Sequence, residues 1–406
     1  MLRFAASPTG DMLISDLRIA LFNYILSRQQ EEDLIVRIVD IHKEKNIQDK
    51  DKEILDLLSF FGIEYSQVIY QSEKVRFHTA MALQLMHDKK AFSCFCSDEW
   101  LGKKREEAKL SKQKYRYDDA CATLPDELVI DNINPFTIRI KKPANSLASD
   151  DIDSFIIMNK DKIPTYDFAC AVDDMLSDIS MVIYEQNSIY DTRKEEYIRT
   201  SLHYDKKIQH IYVPTLLDSP SVKSLLEEGF LPEAISNYLI SIGNESPCDI
   251  FTLKEAIAWF DLNSLSTTTF LFNIDALKEI NKQHLLRLDA KELSRYVGFA
   301  DEEIGLLARV YLKEVYTTKE LKNKIALIFG QRDILNEFKK QSKLMILAIK
   351  SAPYFIEYDD FKKHVMQESG INDENLLCYI LTGSQNEPDI AQVYRYIKNY
   401  IAEIVK

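Results

Sequence analysis

Glycine is scarce here, with 10 among 406 residues. Glycine lets a backbone come close to a phosphate, so its scarcity leaves little material for glycine-rich nucleotide loops. Low genomic GC content would give the same scarcity across the whole chain, so the loss carries weight only at named positions. No run of about 18 apolar residues occurs, which excludes a membrane-spanning helix. Positive charge is in deficit: 51 Lys and Arg against 64 Asp and Glu give a formal charge of −13. That excludes a protein that coats nucleic acid nonspecifically, while a local basic face for one structured RNA stays compatible with it. A strand pattern begins at Leu2, so no signal peptide is expected. Six cysteines, two of them in Cys94-x-Cys96, suit a reducing compartment better than a disulfide framework, and a cytoplasmic location is expected. The seven histidines form no H-x-x-x-H cluster.

With 46% hydrophobic and 28% charged residues, the chain reads as globular with a substantial core, in about two to four domains. Strand and helix patterns alternate through the first 85 or so residues. Leu2–Ala5 reads as a strand and Asp16 to Arg28 as a helix with Leu17, Ala20, Leu21, Tyr24 and Ile25 on one face. Asp33 to Asp40 is an apolar run broken by Arg37, as a buried parallel strand requires. A helix over Ile47 to Phe61, a strand over Tyr65 to Gln71 and a helix over Val75 to His87 complete a doubly wound α/β half. Residues 88–160 are lysine-rich, then β-rich around Phe136 to Ile140. Residues 164–184 return to the α/β pattern. After Gly229 the chain reads as almost wholly helical.

Several motifs follow one another in order: Arg3-Phe-Ala-Ala-Ser-Pro-Thr-Gly10, Tyr70-Gln-Ser-Glu73, Phe92-Ser-Cys-Phe-Cys-Ser97, Tyr115-Arg-Tyr-Asp-Asp-Ala-Cys121, Pro164-Thr-Tyr-Asp-Phe-Ala169, Val172-Asp-Asp174, Phe230-Leu-Pro-Glu-Ala234 and Leu381-Thr-Gly-Ser384. Together they resemble the bacterial glutamyl-tRNA synthetases, a class I family. The resemblance implies a Rossmann-type α/β catalytic-like domain followed by an all-α anticodon-binding-like domain. It also implies boundaries: a Rossmann-like first half over 1–87, an inserted acceptor-binding-like domain over 88–160, a Rossmann-like second half over 161–222, a helical stem-contact-like domain over 223–290 and an all-helical anticodon-binding-like domain over 291–406.

The frame of that family is kept and its chemistry is not. Where the first signature has His-Ile-Gly-Gly, this chain has Leu13-Ile14-Ser15-Asp16. Leu13 donates no side-chain hydrogen bond, and Ser15 and Asp16 put side chains where glycine allowed close approach. Asp16 suits a helix N-terminus, where it is expected to cap its own helix, but it repels a triphosphate at the same spot. The second signature, K-L-S-K-R in a loop, has no counterpart between Tyr212 and Gly229. Lys223 there reads as a surface lysine in a helix capped by Ser221. Of the residues that the resemblance assigns to glutamate, Arg3, Ala5, Ser7 and Tyr166 remain. A Glu has become Val39, an Asn has become Asp167, and the Arg of Arg-Gly-Asp-Asp-His has become Tyr184, in Tyr184-Glu-Gln-Asn-Ser188. A bidentate Arg is not replaced by Tyr.

Cys94, Cys96 and Cys121 keep the spacing of the family's zinc module, which implies a structural zinc ion. The fourth ligand is a His two residues after the last Cys in some relatives, here Thr123, and a Tyr four residues before it in others, here Tyr117; Asp118 and Asp119 are alternatives. A vestigial site of small buried thiols is the alternative, with zinc the reading preferred. Cys170, Cys248 and Cys378 read as core. Basic segments at Lys103–Lys114, Arg193-Lys194 and Lys339–Lys343 could contact tRNA or be solvated helix faces. The functional expectation is an inactive synthetase-like protein that binds tRNA or a protein partner and holds no ATP. A divergent glutamate–tRNA ligase and a structural interaction protein without RNA contact are the alternatives.

Overall fold

The computed structural model describes residues 1–143, 152–186, 192–331, 339–384 and 389–405. They fall into two compact units, Met1–Leu217 with Phe260–Phe270, and Asp218–Trp259 with Leu271–Lys406.

The first unit is built on a parallel sheet. Its strands are β1 (Leu2–Ala6), β2 (Leu34–Ile38), β3 (Gln67–Tyr70), β7 (Met181–Glu185) and β8 (Gln209–Val213), in the order β3-β2-β1-β7-β8. β2 is buried along its whole length, as its apolar run requires. The chain builds outward from β1 through β2 and β3, then returns to the other side of β1 with β7 and β8. The strand order therefore reverses between β1 and β7, and such a reversal leaves a crevice beyond the carboxyl ends of the strands. Three helices, α1 (Ile14–Gln29), α2 (Lys50–Phe60) and α3 (Val75–His87), fill the connections. α1 is buried on nearly every side. Arg18 on α1 is fully buried, donates from Nη1 to the Pro214 carbonyl at 2.7 Å and lies 4.9 Å from the Phe22 ring. It thereby ties α1 to the turn after β8.

α2 begins at Lys50, three residues later than its apolar pattern suggests. Asp49 sits at φ 59°, which breaks the helix, and Ile47 is exposed. A second sheet is antiparallel, β4 (Ala91–Cys94), β5 (Thr137–Ile140) and β6 (Phe155–Met158), with β5 in the middle. Two helices, α4 (Asp98–Leu110) and α5 (Asp126–Ile130), lie between β4 and β5 in the chain. α6 (Tyr166–Leu176) leads into β7, and α7 (Thr192–Ser201) leads into β8.

The second unit is nearly all helix. One hydrophobic cluster runs through it, from Leu231 and Leu285 to Leu293, Tyr311, Phe361 and Tyr394. That core continues across residue 290, where a domain boundary is expected from the resemblance. Two of its helices, α12 (Ala290–Tyr296) and α13 (Glu302–Tyr311) in a count running through the unit, cross so closely that a Cβ on Gly305 would lie 1.6 Å from the Ala290 carbonyl oxygen.

Candidate functional site

The crevice at the strand reversal holds a cavity of about 120 Å³, lined by Arg3, Ala5, Ser15, Asp16, Tyr166, Tyr184 and Glu185 among others. Ligand pockets ordinarily run from about 300 Å³ upward, so this one is small for an amino acid together with a nucleotide.

The N-terminus of α1 opens onto the cavity. Its N-cap is Leu13, in extended conformation and with no side-chain acceptor. Asp16, the third helical residue, accepts from the Leu13 amide through Oδ2 at 3.1 Å. Asp16 therefore assists the cap from inside the helix and is not itself the N-cap, which corrects the sequence expectation. The outcome for a phosphate is the same: a carboxylate already takes an amide that an anion would use. Desolvation at the helix end raises the pKa of Asp16, although the residue stays exposed at its edge. Burial also raises that of Glu185, and the Asp16 charge adds to it. Two carboxylates thus share one small cavity.

Among the described residues, Arg3 is the one positive side chain in its wall. Arg3 donates to Asp174 from Nε at 2.8 Å and from Nη2 at 3.1 Å, and to the Tyr184 hydroxyl at 3.4 Å. Arg37 donates to the same carboxylate at 2.7 Å and to the Cys170 sulfur at 3.2 Å. Burial by itself would raise the Asp174 carboxyl, but the Arg3 and Arg37 guanidiniums outweigh it and hold the group below the usual aspartate range. Burial pushes the Cys170 thiol up to about 12, so it stays protonated beside Arg37. Arg3 is thus paired within the fold, with Asp174. Farther in, Glu195 on α7 is buried 3.7 Å from Arg199, and burial with the Asp174 charge pushes it up to about 7.

The expected site residues divide. Arg3, Ala5, Ser15, Asp16, Tyr166 and Tyr184 meet at the cavity. Ser7 is exposed, Leu13 is 40% exposed and Val39 is half-buried, all outside its lining. Asp167 lies 3.7 Å from Lys194, so its charge is offset. Asn187 and Ser188 lie outside the described residues. Sequence reasoning missed Glu185, Arg37, Asp174 and Glu195 as parts of the site. Asp174 was legible as the second carboxylate of Val172-Asp-Asp174, but its partners were not. From β9 (Leu216–Leu217), residues 218–221 lead directly to the helix Val222–Glu227, capped by Ser221 at 3.1 Å from the Ser224 amide. Cys170 and Cys378 are buried as expected, whereas Cys248 is exposed, in the loop that follows Pro232–Ser241.

A second cluster gathers at the end of β4. The sulfurs of Cys94, Cys96 and Cys121 lie within 4.8 Å of one another and could hold a metal ion. The Tyr117 hydroxyl stands 3.3 Å from the Cys94 sulfur and 3.4 Å from that of Cys96, and the two sulfurs of Cys96 and Cys121 are 3.6 Å apart. A tetrahedron with metal–sulfur bonds of about 2.3 Å and a metal–oxygen bond of about 2.0 Å has edges of about 3.8 Å between sulfurs and about 3.5 Å from sulfur to oxygen. The Cys94–Tyr117, Cys96–Tyr117 and Cys96–Cys121 distances lie within a few tenths of an ångström of those figures, and the three sulfurs together span no more than 4.8 Å. Thr123 is exposed, and Asp119 pairs with Lys142 at 2.9 Å. The Cys94 thiol is lowered to about 7, because hydrogen bonds from Tyr117 and Arg139 outweigh the effect of burial.

The model of tRNA synthetases class I (E and Q), catalytic domain, matches residues 1–279. A protein named glutamate–tRNA ligase 2 from Sulfurimonas denitrificans is 56% identical, covering 100% of both chains. One named glutamate–tRNA ligase 1 from a Nitratiruptor species is 43% identical with the same coverage. This chain belongs to the glutamyl-tRNA synthetase family. A solved glutamate–tRNA ligase from Elizabethkingia meningosepticum shares the family fold at a TM-score of 0.80 and 20% identity, over 100% of this chain and 98% of that one. The alignment to the Sulfurimonas relative spans 432 positions against 406 residues here, so at least 26 positions of that family member have no counterpart in this chain.

Proposed function

We propose that this member of the family no longer activates glutamate and works by binding tRNA. The observation that carries this reading is the state of Arg3: the one positive side chain described in the cavity wall is committed to Asp174, while Asp16 and Glu185 add carboxylates beside it. Activation joins a carboxylate to the α-phosphate of ATP, and negative charge builds on that phosphate. Catalysis then consists mostly of placing donors and cations around it. A small cavity whose free charges are negative does the opposite. The short connection from β9 to the following helix supplies no second-signature lysines, and ATP is not expected to be held. The cytoplasm is the proposed location.

Identity spread over the whole length of the relatives supports a retained tRNA surface, since loss of catalysis by itself would not preserve the helical half. In this reading the segment 88–160 faces the acceptor end, 223–290 the stem and 291–406 the anticodon. Zinc at Cys94, Cys96, Tyr117 and Cys121 is a structural ion.

The second reading, a divergent glutamate–tRNA ligase, is favoured by the names of the relatives. ATP–pyrophosphate exchange with glutamate, run with tRNA present, separates the two: exchange well above background would replace the first reading with the second. A gel-shift titration with total tRNA at near-physiological salt tests the binding role. Tight, tRNA-selective binding without exchange is the expected result. Absence of both would leave a role through a protein partner, such as a functional synthetase or a tRNA-processing enzyme, and would end the tRNA proposal.

A further inference from the structure

We propose that Arg139 is the buried counter-charge of the Cys94, Cys96, Cys121 and Tyr117 zinc site, a positioning residue that holds the anionic donor set together. This rests on the zinc reading above.

Arg139 sits on β5, the middle strand of the antiparallel sheet. Side chains alternate along it. Ile138 and Ile140 pack with Ala82, Leu85 and Phe168, and Arg139 faces the opposite cluster of Phe92, Cys94, Leu101 and Tyr117. An inward position on a central strand is ordinarily apolar. Here it holds an arginine that is only 5% exposed. Among the described residues no carboxylate lies within ion-pair distance of it. Its contacts are the Cys94 sulfur at 3.3 Å from Nε, the Ser154 carbonyl oxygen at 3.1 Å from Nη1, and the face of the Tyr117 ring, 3.9 Å from the guanidinium carbon to the ring centroid.

A buried cation costs several kcal/mol when no anion answers it, and the Ser154 carbonyl does not supply one. The anion is found by counting the loaded site. Zinc carries two positive charges; three thiolates leave the cluster at minus one, and a tyrosinate takes it to minus two. Arg139 touches one thiolate directly and covers the ring of the fourth donor. A cation over an aromatic face is attracted to it, and more strongly once the ring oxygen carries charge. The Tyr117 ring is also stacked on Phe92, with centroids 6.4 Å apart, and its hydroxyl accepts from the Cys121 amide at 3.2 Å. The oxygen is thereby fixed at the sulfurs. With a neutral histidine as fourth donor the cluster would carry one negative charge less. Arg139 answers the particular charge of a tyrosine-containing set.

The test is zinc affinity of the full chain, measured by competition with a chromophoric chelator, with cobalt(II) absorption as a second readout of the donor set. Outer-shell partners of metal ligands are worth roughly 10–100-fold in affinity, so Arg139→Gln is expected to weaken zinc by about that factor. The effect should shrink when Tyr117→Phe is also present, because there is less charge to offset. Arg139→Gln should also lower the melting temperature of the zinc-loaded chain more than that of the chelator-stripped chain. A merely structural arginine would lower both alike. If Arg139→Gln does not fold, Arg139→Lys carries the test, with zinc expected to be held within about tenfold of wild type. A lysine variant that melts like the wild type yet has lost zinc would overturn the proposal. Unchanged affinity in Arg139→Gln, or equal melting losses with and without zinc, would overturn it while leaving zinc in place. A wild-type chain that takes up no zinc would remove both readings together.

Discussion

Asp174→Asn tests the claim that the Arg3 guanidinium is committed inside the fold. Asp174 is 1% exposed and accepts from Arg3 at 2.8 and 3.1 Å and from Arg37 at 2.7 Å. An amide keeps the shape and one acceptor oxygen but removes the charge that both buried guanidiniums contact. Removing one partner of a buried ion pair costs about 3–5 kcal/mol. Asp174 serves two such pairs, which puts the expected loss toward about 5 kcal/mol, a large fraction of the ~5–15 kcal/mol by which domains are stable. Urea denaturation followed by far-UV circular dichroism at neutral pH reads this as a shift in midpoint. The acid side gives a second readout. The folded pKa lies below the unfolded one of about 3.9, so the stabilisation is complete above that value and is lost as the pH falls through the folded pKa. The wild type should show this acid limb, and Asp174→Asn should lack it. A loss under about 1 kcal/mol with the acid limb intact would refute the reasoning, since two buried guanidiniums would then need no carboxylate.

Three further outcomes are expected. Gly305→Ala should lower the thermal midpoint of the second unit by an amount worth at least about 1–3 kcal/mol, because the added Cβ meets a backbone carbonyl that can move only if two helices part. The Glu195 carboxyl, raised from 4.5 to about 7, is favoured by the fold in its protonated form, so its contribution to stability falls as pH rises through that window. Comparing urea midpoints at pH 5 and pH 8 should show a smaller decline for Glu195→Gln than for the wild type, and equal declines would contradict the assignment. Mg-ATP with glutamate should leave the melting temperature unchanged, whereas a ligand that binds the native state at a hundred times its Kd adds about 2.7 kcal/mol; a clear upward shift would count against the loss of activation.

Much of the architecture was legible because local pattern and final environment agree. The apolar run over Leu34–Ile38 is a fully buried strand, and the helix over Val75–His87 has the bounds that its pattern suggests. Where they diverge, a single backbone choice is responsible: Asp49 in the left-handed region cuts α2 short although apolar spacing runs on through Ile47. Cys248, expected in the core, is exposed; a loop without periodicity gives no sequence sign of which way its side chains face.

At the site, the chain itself determined which side chains are offered: Leu13 cannot donate a side-chain hydrogen bond, and Ser15 and Asp16 carry side chains that glycine lacks. It did not determine what the surviving groups do. Arg3 reads as a retained substrate ligand until its partner, 171 positions away, is brought against it. Arg139 reads as a strand residue until it stands over Tyr117. The physical reason is the range of the interactions. Helix and strand patterns, turns and missing donors are properties of neighbouring residues, whereas the pairing of buried charges depends on which elements the sheet brings together, and a charge taken out of water binds to whatever opposite charge packing leaves within reach.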